Sequence, residues 1–390
     1  MIIRKSIVIF FVLVFFTNIF FSSLRLPIFI PKALLSFRDL LIIFLALLGP
    51  FLVYRRASWS IFYLYFLLLI SYVLLVFQII FIPDVAPVGN VVSLSRIVLA
   101  MPIISVIVCL VMTSDDIDYV STKIDVFFFS FLVLCLIESV FLVAGYYGLY
   151  IDAIGFKQYM ASKGTSSSYA FGFFGYRIIT PFFNASVGGV FLSFIFYYYF
   201  KNKKYFLSIL TVLPLIFTVS KTGFLLLFIF LIFRSKCYLG FLAASLVYLG
   251  LAFIVPLLDA SSISPENYQL FHIASIKHHM FGLISGLEYA FEPRGFGGAG
   301  TVPNIDNLNI ELVGRESGFG AGVGSIGFFY PILLFISMAT MCYRFGVNSL
   351  SFFSAYLLIA LMNEGASVFY LWLPIFFIFI SENKCKVVKG

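Results

Sequence analysis

Five cations fall where a membrane-embedded chain is expected to hold few. Arg177, Lys221, Lys277, Arg294 and Arg315 lie on the face that the hydropathy pattern makes extracytoplasmic, where the positive-inside bias disfavours basic residues. Held there beside glycine-rich loops, they suggest binding of an anionic substrate such as a lipid diphosphate. A guanidinium offers phosphate a planar, bidentate fork. A helix amino end adds free N–H groups and partial positive charge.

Arg177 stands in Gly175-Tyr-Arg177-Ile-Ile-Thr-Pro181-Phe-Phe-Asn184. Pro181 and Asn184 suit a helix start, which puts Arg177 one or two turns outside it. Two roles fit: a joint grip on an anion with that helix end, or contact with lipid headgroups. Lys221 lies in Thr218-Val-Ser220-Lys221-Thr222-Gly223, between two short apolar stretches and at or just below the outer surface. It reads as a second phosphate contact, with Ser220 and Thr222 as hydroxyl donors, or as a snorkelling lysine.

Further on, Ser264-Pro-Glu266 opens a stretch that reads as an interfacial helix to about Phe291. His272, Ser275, His279, Gly282 and Gly286 share one face at helical period. That face is polar and low in bulk, with room for a sugar. Ile273, Ile276, Met280, Ile284 and Leu287 form an apolar stripe suited to resting on a membrane. His279 is a candidate general base, with a structural role as the alternative. In Glu292-Pro-Arg294-Gly295-Phe-Gly297-Gly298-Ala-Gly300 the backbone could form an anion nest or a flexible turn. Arg315-Glu316-Ser317-Gly318 places Arg315 as Arg177 is placed, at the start of a span. Glu316 serves either the helix dipole or proton removal from a hydroxyl nucleophile. Two other acidic features attract less chemistry. Asp115-Asp116-Ile-Asp118 reads as a solvated connection, and Glu138 as a buried, hydrogen-bonded carboxylate in preference to a proton-coupling one.

The elements that must position these residues are apolar. Of 390 residues, 62% are hydrophobic and 11% charged, and mean hydropathy is +1.09; soluble domains carry about 25% charged residues. The 52 phenylalanines read as lipid-facing packing. The net charge of +8 reports topology and does not imply nucleic-acid binding. The five cysteines show no metal or disulfide spacing. Twelve spans are predicted, near 6–24, 39–54, 59–81, 96–113, 125–147, 184–200, 205–220, 222–234, 237–258, 318–342, 347–363 and 366–381. Basic clusters including Arg55-Arg56, Lys201/Lys203/Lys204 and Arg234/Lys236 place both termini in the cytoplasm. Two long outer loops remain, 148–183 and 259–317, within a single membrane domain covering 1–390. The predicted class is an all-α polytopic membrane protein.

Several of these residues carry a family likeness. Arg177 followed by ten residues and Gly188, the Ser220-Lys221-Thr222-Gly223 corner, and the stretch Arg315 to Gly327 resemble O-antigen polymerases of the Wzy type, over about 165–345. The related O-antigen ligases carry histidine where this chain has Arg315, which favours the polymerase. The resemblance implies a GT-C-like, metal- and cofactor-independent glycosyltransferase of the bacterial inner membrane, with its active site facing the periplasm. Its substrates would be oligosaccharides linked to undecaprenyl diphosphate, joined with inversion at the anomeric carbon. Arg177, Lys221 and Arg315 would stabilise the leaving diphosphate, with Lys277 and Arg294 competing for the second-loop role. Glu316 or His279 would take the acceptor proton. A chain-length regulator stays open as a partner. The alternatives are an O-antigen ligase, or a polysaccharide flippase or transporter.

Overall fold

The computed structural model describes residues 42–50, 59–81, 99–153, 176–182, 184–254, 279–280, 282–284, 286–287, 317–346, 348–362 and 369–380. Among them the chain is all-helical, with no strand. In chain order the helices are α1 (Trp59–Phe81), α2 (Ser114–Val143), α3 (Tyr147–Ala153), α4 (Ala185–Lys201), α5 (Tyr205–Thr218) and α6 (Lys221–Phe233). They continue with α7 (Cys237–Ile254), α8 (Gly318–Ile326), α9 (Phe329–Phe345), α10 (Asn348–Met362) and α11 (Phe369–Ile380). The described residues divide into two compact units, one formed by Asp115–Cys237 and the other by residues before and after it.

In the first unit, α4 is the central helix, with α5 and α6 both packed along it. Local chemistry sets its limits. The Asn184 side chain accepts from the Ser186 and Val187 N–H groups and caps α4, as Asn does at helix starts. Ser220 caps α6 in the same way, accepting from Gly223 N–H. Between α5 and α6 the chain turns at Val219, whose φ of 52° is left-handed. The sharp break makes two short helices where one long span is conceivable. α2 packs on α4 through phenylalanine: Phe131 and Phe191 meet edge to face with centroids 4.8 Å apart, and Phe128 lies 5.7 Å from Phe191. The abundant phenylalanine is packing material here.

Side-chain contacts give the directions. Ser208 donates to Phe196 O, and Ile178 N–H donates to Phe217 O, so α5 runs antiparallel to α4. Gly189 lies against Gly223, and Tyr197 stacks on Phe230, so α6 runs parallel to it. The amino ends of α4 and α6 and the carboxyl end of α5 therefore share one end of the unit. The opposite end carries Lys201, Lys204 paired with Asp125 at 2.8 Å, and Arg234. α5 leaves Phe206, Ile209 and Leu213 exposed, and α6 leaves Phe228, Leu231 and Ile232. Their spacing follows the helical period, so the outer faces are hydrocarbon.

Among the described residues α2 and α7 are long and apolar enough to cross a membrane. α1 runs to 23 residues, whereas the 14 residues of α5 and 13 of α6 reach only about 20 Å at ~1.5 Å per residue. Several expected limits shift. α2 begins at Ser114, eleven residues before the expected 125, so Asp115 and Asp116 lie in its first turn and not on a connecting loop. Asp116 is buried. Carboxylates belong at a helix amino end for dipole reasons. The expected span 318–342 is two helices, because Gly327 adopts a φ of +61° and ends α8.

Candidate functional site

The end of the first unit where α4 and α6 begin is built by close backbone approach. A Cβ at Gly189 would lie 2.2 Å from the Ser220 Cβ, and one at Gly223 would lie 2.7 Å from Gly189 O. Only glycine admits this crossing. Ser193 donates to both Gly189 O and Gly223 O, at 2.9 and 2.7 Å, and holds the two helices together one turn below. Ser220 Oγ accepts from Gly223 N–H at 3.1 Å and donates to Ser186 O at 3.2 Å. Its hydroxyl proton is thus committed to α4, which makes Ser220 a joint between helix ends. Lys221 follows as the first residue of α6, partly exposed.

Arg177 reaches the same end by a different route. The three N–H groups after it are each held by a separate element. Ile178 N–H donates to Phe217 O at 3.0 Å, in the last turn of α5. Ile179 N–H donates to the Tyr147 hydroxyl of α3 at 2.7 Å. Thr180 N–H donates to Glu138 Oε2 of α2 at 3.0 Å. Thr180 itself has a φ of 59°, a left-handed conformation that is uncommon for a β-branched residue. Its side chain lies over the first turn of α4, where a Cβ at Gly188 would come within 2.1 Å of Thr180 Oγ1. The glycine at 188 therefore has a packing cause in Thr180. Burial lowers the Arg177 pKa from its ordinary value, although part of the side chain stays open. An arginine remains cationic under such a shift. Among the described residues no carboxylate pairs with it.

Glu138 has the partners that its sequence position conceals. It is buried, and besides Thr180 N–H its Oε2 accepts from the Tyr147 hydroxyl at 3.2 Å. The preference for a buried, hydrogen-bonded role fits this setting.

The second unit contains a comparable corner. Ser317 caps α8, accepting from Gly320 N–H and donating to Ala360 O of α10, both at 3.1 Å. A helix start at 317–318 agrees with the expected re-entry point. His279 is one of the helical residues 279–280, 282–284 and 286–287; it is partly exposed and engaged within the protein. The glycine face beside it departs from expectation. A Cβ at Gly286 would lie 2.2 Å from Gly320 O, and one at Gly320 would lie 2.5 Å from Gly282 O. Gly282 and Gly286 thus seat α8, and the room assigned to a sugar is taken by backbone. Ile273 and Ile276 of the apolar stripe, like His272 and Ser275, lie outside the described residues, and the remainder of the stripe is placed differently. Met280 and Leu283 are buried with Tyr248, Ala252 and Leu361, and Ile284 and Leu287 pack against that cluster. These residues belong to a core and do not rest on a surface, because α7 and α10 cover them.

Lys277, Arg294, Gly295, Gly297, Gly298, Gly300, Arg315 and Glu316 lie outside the described residues. Arg177, Lys221 and Ser220 are thus the predicted residues that the fold gathers at one end of one unit. Glu138 and Tyr147 join them without having been singled out for that place. Their only sequence signal was the rarity of a carboxylate inside an apolar stretch. Among the described residues no three His, Cys, Asp or Glu side chains group as a metal site would require. Comparison with protein-family models, curated proteins and solved structures finds no match.

Proposed function

We propose that this protein polymerises oligosaccharide repeat units linked to a polyprenyl diphosphate, at the periplasmic face of a bacterial inner membrane. The reading takes about twelve transmembrane helices in a GT-C-like arrangement, with both termini cytoplasmic. One observation supports it most: Arg177 and Lys221 share an end with the amino termini of α4 and α6, opposite the basic end carrying Lys201, Lys204 and Arg234. A positive end set apart from the cytoplasmic basic cluster suits a lipid diphosphate delivered from outside.

The reaction needs no metal in this scheme. The bond between the donor's anomeric carbon and the diphosphate oxygen breaks, and both its electrons leave with the diphosphate. Arg177 and Lys221 stabilise that growing negative charge. A hydroxyl at the acceptor's non-reducing end bonds to the anomeric carbon from the opposite face, which inverts the centre. Its proton passes to a general base.

The test is a lipopolysaccharide gel of a strain lacking the gene, with and without the intact copy restored. Loss of the ladder with a single-unit band retained supports polymerisation. Loss of both bands rejects it in favour of a ligase or flippase, which an assay of lipid-linked glycan on each membrane face separates.

A further inference from the structure

We propose that Glu138 is a positioning residue for Arg177, acting through the backbone of residues 178–180; the inference rests on the diphosphate-binding role given to Arg177 above. An ionisable side chain within an apolar helix is costly and generally has a specific use. Here the use is visible. Glu138 Oε2 takes two donors, Thr180 N–H and the Tyr147 hydroxyl, and the same Tyr147 oxygen accepts from Ile179 N–H. One carboxyl group thereby fixes two consecutive peptide units, one directly and one through the tyrosine. Phe217 O fixes a third, at Ile178.

The segment so held leaves Arg177 immediately before the clamp, its Cα one peptide from the first tie. Guanidinium recognition of phosphate is bidentate and depends on direction, so a backbone that swings degrades it even while the charge persists. The segment also has reason to move without the clamp. Thr180 is in a left-handed conformation that persists only where its surroundings over-determine it. Glu138 is separated from Thr180 by 42 residues, and the Tyr147, Tyr150 and Cys135 side chains are near its carboxyl group. Tyr147 is itself buried and lies with its ring 5.9 Å from that of Tyr176. The tyrosine thus touches the chain on both sides of Arg177.

The experiment uses the full chain in lipid nanodiscs, with undecaprenyl diphosphate as the probe and amide hydrogen exchange of the 176–182 segment as a second readout. Glu138→Ala is expected to weaken probe binding by about tenfold and to speed exchange at 178–180. Glu138→Gln keeps an acceptor oxygen and is expected to bind nearly as the parent does. Tyr147→Phe, which removes the hydroxyl and keeps the ring, should fall between the two and covers the case where Glu138→Ala fails to fold. In an Arg177→Ala background, Glu138→Ala should cost no further affinity, because its effect passes through Arg177.

Parent-like binding and exchange in Glu138→Ala or Tyr147→Phe would overturn the proposal. So would a Glu138→Gln loss equal to that of alanine, which would assign Glu138 a charge or proton role instead. If the parent fails to bind the probe, or Arg177→Ala binds it equally well, the diphosphate reading of Arg177 fails. Unchanged exchange at 178–180 in Glu138→Ala would separately remove the clamp.

Discussion

The two capped corners, Ser220 in the first unit and Ser317 in the second, are the same joint in different surroundings. Each serine accepts from the N–H three residues on and donates to a carbonyl of another helix. Each lies beside a glycine crossing where backbone meets backbone. The difference lies in what stands next to the joint. At Ser220 the neighbouring segment carries Arg177 on a backbone held by α2, α3 and α5. At Ser317 the space assigned to a sugar by Gly282 and Gly286 is filled by α8 itself. Small residues therefore do not make a binding face by themselves. What matters is whether another helix has already used the room.

The largest effect is expected at the second corner. Gly320→Ala puts a Cβ 2.5 Å from Gly282 O and is expected to destabilise by about 3 kcal/mol or more. Protein level in membranes and the polysaccharide ladder should fall together. A normal protein level would mean that the crossing is looser than described. Arg177→Ala should instead abolish the ladder at full protein level. Arg177→Lys should reduce long chains by about tenfold or more, because a point charge lacks the fork; full activity there would reduce Arg177 to general electrostatics.

Smaller effects sharpen the likeness of the joints. Ser220→Ala and Ser317→Ala each lose a cap and leave a carbonyl short of a donor, a cost of about 1–3 kcal/mol. Thermal unfolding of the detergent-solubilised protein should show similar drops for both. A ladder defect in Ser220→Ala far beyond its loss of stability would return Ser220 to substrate contact. The smallest change expected is at Val219, where φ is 52°. Val219→Gly relieves a strained turn while loosening the unfolded chain, so stability should move by less than about 1 kcal/mol. A large loss would show that the valine side chain is needed at the corner.

Much of the helical framework was legible because its signals are local. Asn184, Ser220 and Ser317 each bind N–H groups two or three residues away, and a reader of the chain sees both partners at once. The short pair expected at 205–220 and 222–234 is found at Tyr205–Thr218 and Lys221–Phe233. The start of α2 was harder to see. Asp115, Asp116 and Asp118 are polar, and polarity near an apolar run reads as a loop until the helix is known to extend through them.

Sequence alone sufficed for an all-α class, which the described residues bear out, for the places where α4, α6 and α8 begin, and for a cation just outside the start of α4. Those properties depend on composition and on hydrogen bonds closed within one helical turn. Tertiary structure decided what those ends face. It brought Glu138 and Tyr147 to the backbone after Arg177, seated α8 on Gly282 and Gly286, and gathered Arg177 and Lys221 at one end of a unit. Each of these depends on partners tens of residues apart, and their pairing follows from how helices pack and not from any local spacing.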